Sequence, residues 1–259
     1  MKKHKLYLID LDGTIYNGNN VIEYAVDFIN YLNENNIDYL FITNNSTKTE
    51  LEVVSKLKSM GIKTYEQNIF TSSEAASLYL KSKNYNNVSV IGEEGLKNTL
   101  LRNNINIVDE SPEALVVGLD RNVNYDILSK ACNYILSGVE FIATNPDKLI
   151  PTENGMNPSN GAQVKFLEYC TDVIPTIIGK PSNIIMDLAI KKFNYDKSEI
   201  AMVGDNYETD ILSGINSNID TIHVQTGVTS KEQIEKKSIQ PTYTLKNLKE
   251  LLENINDKF

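Results

Sequence analysis

The chain has 259 residues, which suits one large or two modest domains around a real core. With 41% hydrophobic and 23% charged residues it has the composition of an ordinary soluble globular protein. The net charge of −9 argues against a nucleic-acid polymer as partner, and an anionic substrate must be drawn in by local groups or a metal.

The first apolar run, Leu6 to Ile9, reads as a central strand buried on both faces and stops at Asp10. It ends in two carboxylates, Asp10 and Asp12, followed by Gly13 and Thr14. Acids at the end of a buried strand are costly without positive charge between them, so the pair asks for a hard divalent cation, Mg²⁺. The plain alternative is a solvated Asp-x-Asp turn. Val21 to Asn35 carries apolar residues at helical spacing, and Asp38 to Thr43 (DYLFIT) reads as a second buried strand. The polar cluster Asn44, Asn45, Ser46 and Thr47 follows. It can cap the next helix, Thr49 to Met60, or grip phosphate oxygens, and one helix N-terminus can do both. Gly61 ends that helix, and Phe70 to Glu74 opens another with a serine-threonine cap.

From Val88 a second series of strands and helices begins: VSVIG, a helix near Glu93 to Arg102, ALVVG, a helix over Tyr125 to Ser137, and EFIAT. It reads as an α/β domain inserted in the first, with hinges near Ser82 to Tyr85 and near Pro175. The division expected is a core over 1–81, a cap over 82–177 and the rest of the core over 178–259. Pro151 to Gly161 reads as a turn-rich loop, either plain surface or a lid, before a helix from Ala162 to Cys170. Lys180, between Gly179 and Pro181 at a helix start, is held rather than waving. Glu199 to Val203 is another strand, ending in Gly204, Asp205 and, five residues on, Asp210. Thr221 to Gln225 gives one more strand, and Leu245 to Asn254 a closing amphipathic helix.

Acids at two strand ends, hydroxyl and amide groups at a third and a held lysine are the parts of phosphoryl transfer through a covalent intermediate. A carboxylate nucleophile needs no deprotonation at neutral pH. A carboxylic acid two residues on can protonate the leaving oxygen and later deprotonate water. A lysine and a hydroxyl hold the phosphoryl oxygens, and Mg²⁺ offsets repulsion between the two anions.

In order, DLDGT, ITNNS, GKP and GDNYETD resemble the four motifs of the haloacid-dehalogenase-like phosphatases, and the insert resembles their large-cap, NagD-like and p-nitrophenylphosphatase-like branch. The resemblance implies a Rossmann-like, doubly wound parallel sheet with an inserted α/β cap, and hydrolysis of small phosphomonoesters. It implies Asp10 as nucleophile, Asp12 as general acid and base, Thr43 and Lys180 as phosphate binders, and Asn44 and Asn45 at the entrance. Mg²⁺ would be held by the carboxylates of Asp10 and Asp205 and the backbone carbonyl of Asp12, with Asp210 in support. Ala143 to Asp147 matches a recurrent cap segment, and Lys148, Ile150 and Pro151 after it are expected to influence specificity. One departure stands out: Asn206-Tyr207-Glu208 replaces a commonly basic residue after Gly-Asp.

A receiver-like phospho-acceptor protein would carry similar groups, but its acceptor lies on a later strand and it has no insert. A catalytically silent relative would be expected to lack some of the acids. Cys132 and Cys170 lack metal-ligand spacing and read as reduced thiols of a cytoplasmic protein. No segment approaches the roughly 20 apolar residues of a membrane span, so no membrane partner is expected. Oligomeric state is left open; the resemblance to large-cap phosphatases, which often pair through their caps, admits a homodimer of that kind.

Overall fold

The computed structural model describes residues 1–152 and 155–256. The chain divides into two compact units. One takes Met1–Thr43, Glu50–Phe70 and Ala189–Phe259; the other takes Asn44–Thr49 and Thr71–Leu188. The expected insert, 82–177, lies whole within the second unit, which also takes in 44–49, 71–81 and 178–188.

The first unit is built on a six-stranded sheet in the order Tyr243–Leu245, Asp220–Val224, Ile200–Gly204, Leu6–Ile9, Asp38–Thr43, Ile69–Thr71. Leu6–Ile9 pairs in parallel with Ile200–Val203 on one side and Asp38–Phe41 on the other. All four of its side chains are buried, as its uninterrupted apolar run requires. The strand order reverses at Leu6–Ile9, since the chain builds outward from it first on one side and then, after Ile200, on the other. Such a switch point opens a crevice at the carboxyl ends of the central strands, where Asp10 and Asp205 follow. Helix Ala25–Glu34 buries Ala25, Phe28, Ile29 and Leu32, the face its spacing predicts, and helix Leu248–Ile255 packs into the same core.

The second unit has its own five-stranded sheet, ordered Thr176–Ile177, Glu140–Ala143, Ala114–Val117, Asn87–Ile91, Asn106–Ile107, with every neighbouring pair parallel. Helices Tyr125–Leu136 and Asn160–Thr171 contribute Ala131, Ile135, Val164 and Leu167 to its separate core. The protein is thus a Rossmann-like α/β fold carrying a second α/β sheet unit.

Three local readings change. Val21 lies in a two-stranded ribbon, Tyr16–Asn17 with Asn20–Val21, and the helix starts later, at Ala25. The loop expected over Pro151 to Gly161 lies largely in an antiparallel ribbon, Leu149–Thr152 with Gly155–Pro158. Ile69–Thr71 is a short edge strand, and Thr71 also caps the helix Ser72–Ser82, its Oγ1 accepting from the Glu74 N–H at 3.1 Å.

Candidate active site

In the first unit the two central strands deliver their acids side by side. The Asp10 N–H donates to the Val203 carbonyl at 2.9 Å, continuing the ladder one residue past Leu6–Ile9. The ends of these strands are thereby locked together, and carboxylate oxygens of Asp10, Asp205 and Asp210 lie within 4.8 Å of one another. All three residues are buried, Asp205 and Asp210 to 1% exposure.

Asp205 is held on both carboxylate oxygens. Its Oδ1 accepts from Thr14 Oγ1 at 3.1 Å and its Oδ2 from the Val228 N–H at 2.7 Å. Its backbone carbonyl accepts from the Thr229 N–H at 3.2 Å and lies 3.2 Å from His223 Nε2, which is also 3.0 Å from the Thr229 carbonyl. Two carbonyls can only accept, so Nε2 carries the proton, and burial holds the His223 pKa below its ordinary value. Glycines leave room for the acids: a Cβ at Gly227 would lie 2.0 Å from Asp205 Oδ2, and one at Gly204 2.3 Å from Asp210 Cβ. Gly227, Val228 and Thr229 belong to a loop that the sequence does not single out; Gly-Val-Thr after a strand carries no recognisable chemistry.

Asp210 reaches the cluster through the wide turn Tyr207–Ile211, in which the Ile211 N–H donates to the Asn206 carbonyl five residues back at 3.3 Å. Its Oδ2 accepts from the Asn206 N–H at 3.0 Å and its Oδ1 from Thr209 Oγ1 at 3.1 Å. The departure Asn206-Tyr207-Glu208 acquires a structural account here. Asn206 Oδ1 accepts from the Glu208 N–H at 3.0 Å, capping the turn. Tyr207 is buried against Ile211 and Ile234, its hydroxyl donating to the Ile239 carbonyl at 2.7 Å, while Glu208 points outward to Lys237.

Asp12 differs from its neighbours. It is exposed, and its Oδ2 accepts from the Tyr16 hydroxyl at 3.3 Å. Thr43 closes its strand in the first unit with 5% exposure.

In the second unit Asn44 organises a different cluster. Its Oδ1 accepts from the Lys180 N–H at 2.8 Å and its Nδ2 donates to the Lys180 carbonyl at 2.9 Å, so one amide side chain clamps both backbone groups of Lys180. Nδ2 also donates to Asp147 Oδ1 at 3.0 Å. The Asn44 carbonyl accepts from Asn145 Nδ2 and from Ser72 Oγ, both at 2.7 Å. Lys180 is 2% exposed. Gly179 is needed because a Cβ there would sit 2.5 Å from Asn44 Oδ1. Asn45 Oδ1 accepts from the Thr47 N–H at 2.8 Å, an Asx turn that shapes the loop. Of the residues expected to influence specificity, Lys148 is exposed, Ile150 is half-buried in the ribbon opposite Asn157, and Pro151 lies in the same strand.

Three carboxylates buried this close repel one another strongly, and their oxygens are hard donors, so the residues present fit a divalent cation. Known proteins define the class. Residues 7–106 match the model of the haloacid dehalogenase-like hydrolases, and residues 177–251 match a second one, described as HAD-hydrolase-like. An acid sugar phosphatase of Staphylococcus saprophyticus is 48% identical over 98% of this chain and 99% of its own length. The 4-nitrophenylphosphatase of Thermotoga maritima superposes with a TM-score of 0.93 at 32% identity, covering 98% of both chains. A double mutant of the thermostable NPPase from Geobacillus stearothermophilus gives 0.90 at 44% identity, over 96% of this chain and 98% of the other. The chain belongs to the haloacid dehalogenase-like hydrolase family, among its phosphomonoester-hydrolysing members.

Proposed function

We propose that this phosphatase hydrolyses small phosphomonoesters through an aspartyl-phosphate on Asp10, with Mg²⁺ as cofactor. The observation that carries the reading is the buried cluster of Asp10, Asp205 and Asp210 at the switch point of the sheet, with Asp12 two residues beyond the nucleophile. An Asp10 carboxylate oxygen attacks phosphorus while the ester P–O bond breaks. The bonding pair stays on the leaving oxygen, which takes its proton from Asp12. Water then attacks the acyl-phosphate, gives its proton to Asp12, and inorganic phosphate and the Asp10 carboxylate are regenerated. Thr43 and Lys180 bind the phosphoryl oxygens, with Asn44 fixing the backbone of Lys180. The carboxylates of Asp10 and Asp205 and the Asp12 carbonyl hold the metal, supported by Asp210. Bound Mg²⁺ offsets the repulsion between an anionic nucleophile and an anionic phosphate.

The name acid sugar phosphatase, carried by several relatives, supports a sugar phosphate as the substrate of this chain, and the same proposal gives Lys148, Ile150 and Pro151 a bearing on that choice. The test is release of inorganic phosphate from sugar phosphates, nucleoside monophosphates and p-nitrophenyl phosphate, with and without Mg²⁺. Turnover confined to Mg²⁺ and highest for sugar phosphates supports the reading. Metal-independent turnover, or binding without turnover, contradicts it.

A further inference from the structure

A general acid must present its proton in one direction, yet Asp12 is an exposed side chain beside a glycine turn. One group that holds it is the Tyr16 hydroxyl, donating to Oδ2 at 3.3 Å. Tyr16 is well placed to be stiff. The residue is 5% exposed and belongs to the core cluster that includes Leu11 and Ile15. Its main chain closes the same turn: the Gly13 N–H donates to the Tyr16 carbonyl at 2.8 Å, the Tyr16 N–H donates to the Leu11 carbonyl at 3.2 Å, and Asp12 and Tyr16 form an isolated bridge. On the ring face, Lys56 of helix Glu50–Ser59 places Nζ 3.6 Å from the centroid, a cation–π contact. Burial lowers the Lys56 pKa, with the Asp12 charge acting in the opposite direction. Core, turn and cation therefore fix the ring, and the fixed ring fixes where its hydroxyl points.

We propose that Tyr16, braced by Lys56, is a positioning residue that aims the Asp12 carboxyl at the leaving-group oxygen. The proposal rests on the reading of Asp12 as general acid. Because the Tyr16 hydroxyl donates to Oδ2, the transferable proton of Asp12 sits on Oδ1. In the first step that proton passes from Oδ1 to the leaving oxygen as the P–O bond breaks, and Asp12 is left as a carboxylate that still accepts from Tyr16. Without the hydroxyl, Oδ2 loses this anchor and the direction in which Oδ1 presents its proton is less sharply set.

Leaving groups separate this role from a structural one. A p-nitrophenolate departs with little need of a proton, whereas the alkoxide of a sugar phosphate needs one. For Tyr16→Phe, kcat/KM should fall about tenfold on a sugar phosphate and by less than about twofold on p-nitrophenyl phosphate, since positioned proton transfer contributes roughly 10²–10⁴ in all. Lys56→Met, which keeps the stem and removes the cation, should show the same selectivity more weakly. Equal losses on both substrates, with or without a lower melting temperature, overturn the proposal, as does no loss on either. Asp12→Asn measured alongside distinguishes the failures. If Asp12→Asn is itself unselective, the general-acid reading falls and the Tyr16 role with it; if Asp12→Asn is selective and Tyr16→Phe is not, only the Tyr16 role falls.

Discussion

Gly13 lies against the Asp205 carboxyl so closely that a Cβ at Gly13 would sit 2.5 Å from Cγ and from both carboxylate oxygens. Its φ of +89° is one that a side chain resists in any case. The turn after the first strand and the acid after Ile200–Gly204 are therefore built to share one space.

Gly13→Ala should displace the Asp205 carboxylate and lower kcat/KM by about a hundredfold, the scale of a 1 Å misplacement in an active site. Gly18 is the control, because its φ is +58° yet nothing lies within 4 Å of a Cβ there. Gly18→Ala should lower the melting temperature and spare activity. Equal activity losses in the two variants would count against the close packing of Gly13 on Asp205.

Asn44→Ala should remove two hydrogen bonds to the backbone of buried Lys180, at a cost of about 1–3 kcal/mol. The measurable results are a lower urea midpoint and a raised KM, with Asn44→Asp intermediate because it retains the Oδ1 acceptor. A variant as stable as the parent would mean that the clamp contributes nothing.

The chain has two histidines, and burial lowers the pKa of both from 6.5. The unfolded chain therefore takes up protons at these sites before the folded protein does. Their contribution to stability is complete above pH 6.5 and is lost as pH falls from there through the folded values. Unfolding free energy should decline between pH 7 and 5, and His4→Gln should reduce the slope. An unchanged slope in that variant would remove His4, which lies 2.8 Å from Asp220 Oδ2, from the account.

What the sequence makes legible is what burial or close spacing repeats. Leu6–Ile9 and Ala114–Val117 are wholly buried, and their runs read as strands without ambiguity. The acids of the site are legible because a charge at the end of such a run has no cheap structural purpose. Edge strands are not: Ile69–Thr71, Asn106–Ile107 and Tyr243–Leu245 are too short to show a period, and at Thr71 the helix-capping signal hides the strand. The ribbon at Leu149–Thr152 and Gly155–Pro158 is masked by its own proline and glycine, residues that ordinarily mark turns. The partners of Asp205 at Thr14 and Val228 come from distant segments, and a backbone N–H donor such as that of Val228 leaves no mark in sequence.

The ribbon after Lys148 offers a test of substrate choice. Substitutions at Lys148 or Ile150 should redistribute kcat/KM among sugar phosphates while leaving p-nitrophenyl phosphate nearly unchanged, because a phosphate-binding site common to all substrates does not distinguish them. A uniform drop across the panel would assign both residues to packing.

The central claim is that Asp10 carries the phosphoryl group. Mass spectrometry of enzyme quenched in acid during turnover should find one phosphate, about 80 Da in mass, on the peptide containing Asp10, lost on treatment with hydroxylamine as an acyl-phosphate is. Asp10→Asn should show neither the adduct nor turnover while keeping the parent melting curve. Phosphate on any other residue, or turnover in Asp10→Asn near the parent rate, would contradict the account.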